Sequence, residues 1–263
     1  MFFERQSKSF KVKKIFTAIL FITIISNAFA QKQMVNYLTT FDEKLIHFGF
    51  TLGYNMLDFN ITNYNPIGEN PDFVADPGDD LHITGGSMVR SDLQTLVPGF
   101  TVGIVSSLRL SEDLDLRFLP GMSFGERKLT YNIPVYDINA GFEPIKFYSI
   151  KSTFLDFPLL IKYKARRINN DRPFVIFGTA FRQDISKTAK EDLVKLKSSG
   201  FYAEVGGGWD HYFPFFRFTV EGKFSFGLNN QLGDLPEPIQ RQYYSQSIKS
   251  LRSNIFTLSF HFE

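Results

Sequence analysis

The stretch His47-Phe-Gly-Phe-Thr-Leu-Gly-Tyr-Asn-Met56 alternates without exception. Phe48, Phe50, Leu52, Tyr54 and Met56 are apolar or aromatic, and Gly49, Thr51, Gly53 and Asn55 between them are small or polar. Successive side chains of a β-strand point to opposite faces, so this segment reads as a strand with one apolar and one polar face. The pattern recurs at Phe100, Val102, Ile104 and Leu108 against Gly99, Thr101, Gly103 and Ser107. It recurs again at Leu114, Leu116, Phe118, Pro120, Met122 and Phe124 against Asp115, Arg117, Gly121 and Ser123. Residues 149–164, 173–182, 201–212, 215–228 and 252–262 complete a set of eight strands. These exceed the five or six residues usual in globular proteins and match the roughly 9 to 11 that a tilted strand needs to cross a bilayer.

The connections alternate in length. Residues 60–96, 126–148, 183–200 and 229–251 form long loops, while 110–113, 165–172 and 213–214 form short turns. Outer-membrane barrels place short turns in the periplasm and long loops outside. The expected fold is therefore all-β, an eight-stranded antiparallel transmembrane up-and-down β-barrel with both termini periplasmic. A soluble barrel of the lipocalin type would turn its apolar face inward and need a charged exterior. Here the second face is mostly Gly, Ser, Thr and Asn with isolated charges, which suits a narrow polar lumen.

Composition agrees. The chain is 43% hydrophobic and 16% aromatic, with 31 Phe and no Cys, which excludes a disordered chain and a disulfide scaffold. A mean hydropathy of −0.11 excludes a polytopic helical membrane protein. The net charge of +2 owes much to Arg5, Lys8, Lys11, Lys13 and Lys14; the rest of the chain is slightly acidic, and nucleic acid is not an expected partner. Those basic residues precede the apolar run 15–25 and the Asn27-Ala28-Phe29-Ala30 site, the arrangement of a secretory signal peptide cleaved after Ala30. The domain reading is a signal peptide at 1–30, a periplasmic segment at 31–44 and the barrel at 45–263.

The hairpin around Phe213-Pro214 gives an expected register in which paired residue numbers sum to 427. Asp210 then opposes Arg217 and Glu204 opposes Lys223 on the inner face, while Trp209 meets Phe218 and Phe201 meets Phe226 outside. By parity the interior charges are Arg117, Asp156, Lys162, Glu204, Asp210, Arg217, Glu221 and Lys223, read as a salt-bridged plug. Trp209, Tyr163 and Tyr212 are expected in a periplasmic aromatic girdle.

His47 and His261, on the first and last strands, are expected to form an interior hydrogen-bonded pair and not a metal site. Ser259 and His261 share a face but lack a third group to orient the histidine, so no enzyme is expected. Gly206-Gly207-Gly208 lacks the Lys-Ser/Thr of a phosphate loop. The loop 60–89 holds Glu69, Asp72, Asp76, Asp79 and Asp80 without Lys or Arg, and without the spacing of an EF-hand. No cofactor is expected.

Three segments carry a family likeness: HFGFTLGYNMLDF (47–59), GFTVGIVSSLRLSEDLDLRFLPGMSFGER (99–127) and FLDFPLLIKYK (154–164). In this order they resemble the PorT family of outer-membrane β-barrels, also called SprT. The final strand, with Phe256, Leu258, Phe260 and Phe262 alternating up to Glu263, is similar to the C-terminal signal of outer-membrane proteins. The resemblance implies an accessory component of the type IX secretion system, needed to export proteins with a C-terminal sorting domain and, in gliding bacteria, adhesins. It implies outer-membrane lipid, other secretion subunits and secreted cargo as partners. The alternative reading is a small ligand-binding, adhesion or transport barrel of the outer membrane.

Overall fold

A computed structural model of the protein describes residues 35–75, 81–136, 144–145, 147–186, 194–233 and 243–263. The signal segment 1–30 and the loop acids Asp76, Asp79 and Asp80 lie outside them. The described strands are β1 (Ile46–Asn63), β2 (Ser91–Leu96), β3 (Pro98–Arg109), β4 (Leu114–Phe118), β5 (Gly121–Tyr131), β6 (Val135–Tyr136), β7 (Pro144–Ile145), β8 (Tyr148–Lys164), β9 (Asp171–Asp184), β10 (Ser199–Tyr212), β11 (Arg217–Gly227) and β12 (Ile248–Phe262). β6 and β7 pair only with each other, inside the second outer loop.

The remaining strands form a closed antiparallel ring of eight staves. β1 pairs with β12 on one side and β3 on the other; β2 with β3 makes one stave, and β4 with β5 another. Closure leaves no backbone edge facing lipid, which a hydrocarbon environment demands. The stave expected as one strand over 114–124 is split at Leu119-Pro120. Phe118↔Leu159 and Gly121↔Asp156 share one register, so Leu119-Pro120 faces Phe157-Pro158. Two prolines lacking N–H groups face each other there, and the ladder lapses without a slip. Leu119 N–H still donates to Pro158 O at 3.2 Å.

The β10–β11 register differs from expectation by two residues. Tyr212 pairs with Arg217, Asp210 with Thr219, Trp209 with Val220 and Ala203 with Phe226. Phe213 N–H donates to Phe216 O at 2.9 Å, so the loop residues are Pro214-Phe215 and not Phe213-Pro214. Proline suits the first central position of a tight turn and is disfavoured at the second, and this moves the turn centre by one residue. A shift of two preserves parity, so the inner and outer faces are unchanged.

The outward faces mark the lipid. On β1 they run Phe48, Phe50, Leu52, Tyr54, Met56 and then Asp58, Asn60, Thr62; on β12 Phe262, Phe260, Leu258, Phe256 and then Asn254, Arg252. Met56 pairs with Phe256 and Asp58 with Asn254, so the change falls at one level on neighbouring staves. Phe48 is 68% exposed and Phe100 54%, a surface that is stable against hydrocarbon and not against water. Beyond Met56, β1 continues through Asn63, roughly 23 Å further at about 3.3 Å per residue. The strands thus run past the lipid, and the outer loops begin later than their composition suggests.

Within that extension the loops fold over the mouth. Phe59, Leu129, Tyr131, Ile248 and Leu251 of the strands pack with Ile67, Val89, Val194, Tyr243 and Tyr244 of the loops into a second apolar core. Tyr131 and Tyr244 meet edge to face at 5.0 Å.

The placement of the lipid band is testable. Val220 lies outward beside Phe260, which pairs with Leu52, near mid-depth. Val220→Arg should cost about 2 to 4 kcal/mol, and Asn254→Arg, above the band, less than about 1 kcal/mol. Urea titration read by heat-modifiable gel mobility measures both; equal losses would misplace the band.

Candidate functional site

The described structure concentrates its unusual chemistry inside the barrel. All eight interior positions read from parity are buried: Arg117, Lys162, Asp210 and Arg217 are fully enclosed, and Asp156, Glu204, Glu221 and Lys223 nearly so. Each is joined to an opposite charge. Arg117 Nη1 lies 2.7 Å from Glu221 Oε2, and Lys162 Nζ lies 2.7 Å from Asp210 Oδ2. Arg182 bridges Asp156 at 2.9 Å and Glu204 at 2.6 Å, and Lys223 lies 2.8 Å from Glu204.

The partners differ from the expected ones where the register differs. Arg217 pairs with Glu263 at 2.8 Å, not with Asp210. Asp210 is held by Lys162, two staves away, and accepts the Thr219 hydroxyl at 2.6 Å. Glu204 and Lys223 do pair, but diagonally, since Lys223 opposes Gly206 in the ladder. A side chain at Gly208 would run into the Val220 carbonyl and the Phe174 ring. The triple glycine therefore lets the wall close on its contents.

Parity also held information left unused. Asp115 with Lys164, 2.7 Å apart, and Arg182 share the inward positions of residues already identified. Asp42 carried no such signal, because it precedes the first strand. It sits in a 3-10 turn at Phe41–Glu43 that plugs the periplasmic mouth. Its carboxylate lies 3.2 Å from Arg172 and 3.4 Å from Arg217 and accepts the Tyr212 hydroxyl at 2.7 Å. Phe41 stacks on His47 with centroids 4.3 Å apart. Further along, Tyr37 N–H donates to Asn170 Oδ1 of a periplasmic turn.

Two expectations fail here. Tyr212 is not a girdle residue: it shares the parity of Asp210 and is buried, whereas Trp209 and Tyr163 are about half exposed on the outer face. His47 and His261 do not pair. Thr51, not His47, opposes His261 in the ladder; His47 stacks on Phe41, and His261 Nε2 lies 3.4 Å from Glu221 Oε2. Glu221 is thus the third group beside Ser259 and His261 that the sequence did not reveal. Among the described residues no cluster of three or more His, Cys, Asp or Glu could hold a metal ion.

Among the described residues the lumen holds one small space. A cavity of about 30 Å³ lies among Arg182, Glu221, Lys223, Ser259 and His261, room for one or two waters. The arrangement of buried, paired charges can fix the wall rigidly and obstruct passage.

The model of the outer membrane protein beta-barrel domain family matches residues 29–233. Among solved structures, the N-terminal β-barrel domain of Pseudomonas aeruginosa OprF aligns at 13% identity and a TM-score of 0.28, covering 80% of this chain and 96% of that one. Ail, the attachment invasion locus protein of Yersinia pestis, aligns at 10% and 0.33, covering 82% and 96%. Neisserial surface protein A aligns at 8% and 0.36, covering 83% and 98%. No curated protein matches the chain.

Two outcomes follow from these contacts. Asp210→Asn strands the Lys162 ammonium in the lumen and should cost about 3 to 5 kcal/mol, while Lys162→Met with Asp210→Leu should recover most of it; urea midpoints decide. At the periplasmic mouth, burial raises the Asp42 carboxyl, but the Tyr212 hydroxyl, Arg217 and Arg172 outweigh it and hold the pKa below the usual value. A depressed carboxylate stabilises the plug above its unfolded pKa of about 3.9 and loses that contribution as pH falls through the folded value. Pepsin should therefore cut near Phe41 increasingly as pH falls below about 4, and in Asp42→Asn chymotrypsin should already cut there at pH 7.

Proposed function

The chain belongs to the outer membrane protein beta-barrel domain family and is a barrel of the outer membrane; from that premise we propose that it serves as an accessory component of the type IX secretion system, without catalytic activity of its own. The carrying observation is the resemblance to the PorT family. Its three segments fall on β1, on β3 to β5 and on β8, which pair in that order and form one continuous half of the wall. A lumen filled by ion pairs and closed at both mouths supports an accessory role, because a folded cargo protein has no route through it. The work then falls to the surfaces: the periplasmic turns, the plug around Asp42, the outer cap and the lipid-facing wall. The partners in this reading are other secretion subunits and secreted cargo.

Deleting the gene in the native bacterium should trap cargo bearing the C-terminal sorting domain in the periplasm, while other outer-membrane proteins assemble normally, and a plasmid copy should restore export. Cargo reaching the cell surface at its usual level would overturn the secretion reading. The barrel would then be a ligand-binding, adhesion or transport protein, a role for which the ordered outer cap supplies a surface.

A further inference from the structure

β9 ends at Asp184, while its neighbour β8 continues outward to Tyr148. The third outer loop takes β9's place: Ile185 N–H donates to Thr153 O at 2.8 Å, and Asp184 N–H to Ser198 O. Between loop and strand lies a cavity of about 230 Å³.

Its described lining is net positive, two lysines against the one carboxylate of Asp184. Lys151 and Lys197 both line it and are exposed, and neither has an ion-pair partner among the described residues. Ser152 lines it from behind, 2% exposed, and its Oγ accepts Arg127 Nη1 at 3.3 Å. Arg127 is itself buried. It also contacts the Ser253 hydroxyl at 2.6 Å and the faces of Phe59 at 4.1 Å and Phe154 at 5.5 Å. Arg117, Arg172, Arg182, Arg217, Lys162, Lys164 and Lys223 each have a carboxylate within 4 Å; Arg127, among the described residues, has none. Two acids stand close by, Asp184 in the lining itself and Glu126 beside it. Asp184 accepts the backbone N–H of Ser186 at 2.9 Å and also its hydroxyl, and Glu126, opposite Lys151 in the ladder, accepts the Ser149 hydroxyl at 2.7 Å.

Depth narrows the ligand. Leu155 is the last apolar outward residue of β8, and Lys151 stands four residues beyond it, roughly 13 Å along a tilted strand. On a strand tilted by about 45° this is roughly 9 Å above the apolar band, in the polar zone outside the hydrocarbon. We propose that this cavity binds a phosphate group, carried by a phosphorylated glycolipid of the outer leaflet. Lys151 and Lys197 supply the charge, and the hydroxyls of Ser152 and Ser198 donate to the phosphate oxygens. Arg127, donating to Ser152 Oγ, strengthens that hydroxyl as a donor. The positive potential of a partly enclosed site with low-dielectric walls is what concentrates such an anion.

The test is native mass spectrometry of the folded full-length protein in detergent, with bisphosphorylated lipid A and its fully dephosphorylated form as probes. Wild type should retain one bisphosphorylated molecule and show no comparable retention of the other. Lys151→Ala with Lys197→Ala should lower retention at least tenfold with unchanged heat-modifiable mobility, Ser152→Ala should lower it less, and Lys44→Ala, at the opposite mouth, should leave it unchanged. Inorganic pyrophosphate identifies the source. If millimolar pyrophosphate displaces lipid A only partly, the lipid is the carrier; if it displaces all of it at equal affinity, the site takes phosphate from solution and the lipid assignment falls. Equal retention of both lipid A forms, or no loss in the double lysine variant, would overturn the phosphate site itself.

Discussion

A wall of eight strands encloses room for side chains and little else, so every charge that strand alternation sends inward has to meet an opposite charge or remain stranded at a cost of several kcal/mol. The lumen answers this constraint with pairs that reach across it. Arg117 on β4 meets Glu221 on β11, Lys162 on β8 meets Asp210 on β10, and Arg182 on β9 ties Asp156 to Glu204. Ring faces shield several of these cations, as where Lys162 Nζ lies 3.8 Å from the Phe174 centroid and Arg182 lies over Tyr202 at 4.3 Å. Arg117 and Glu221 join distant staves, Lys162 and Asp210 skip one, and Arg182 ties adjacent staves, so together the pairs brace the ring as well as fill it.

Outside, the same alternation presents aromatic rings to lipid, and these pack against one another across the seams. Phe50 meets Phe262 at 4.8 Å where the first and last strands join, and Phe224 meets Phe256 at 4.9 Å. Both mouths are closed by segments that are not part of the wall. The turn at Phe41–Glu43 fills the periplasmic one through Asp42, and the loop core around Tyr243 and Tyr244 fills the outer one. Plug, lumen and cap together make a solid body in the membrane, whose accessible chemistry lies on its surfaces.

Period-two alternation was enough to identify the staves, their inner and outer faces and the interior charges, because each of those depends only on parity. Partners across the lumen depend on register and on stave order, and there the sequence was less informative. The 427 register failed because Pro214 takes the first loop position, a matter of turn geometry that charge complementarity between Asp210 and Arg217 obscured. Residue type favours the girdle for Tyr212, whereas its parity places it inside, where it is buried. Asp42 and Glu263 lie beyond the alternating segments, so nothing local announced their pairing with Arg217. The outer ends of β1, β5 and β12 resemble loop in sequence because, above the lipid, polar residues stand on the outward face and the contrast between faces fades.

The central claim, that this barrel is filled and not a conduit, is tested most directly by single-channel recording of the full-length protein in a planar lipid bilayer at neutral pH. A flat baseline is expected, since buried, paired side chains occupy the described lumen. Stable, reproducible conductance steps from correctly folded wild-type protein would contradict it.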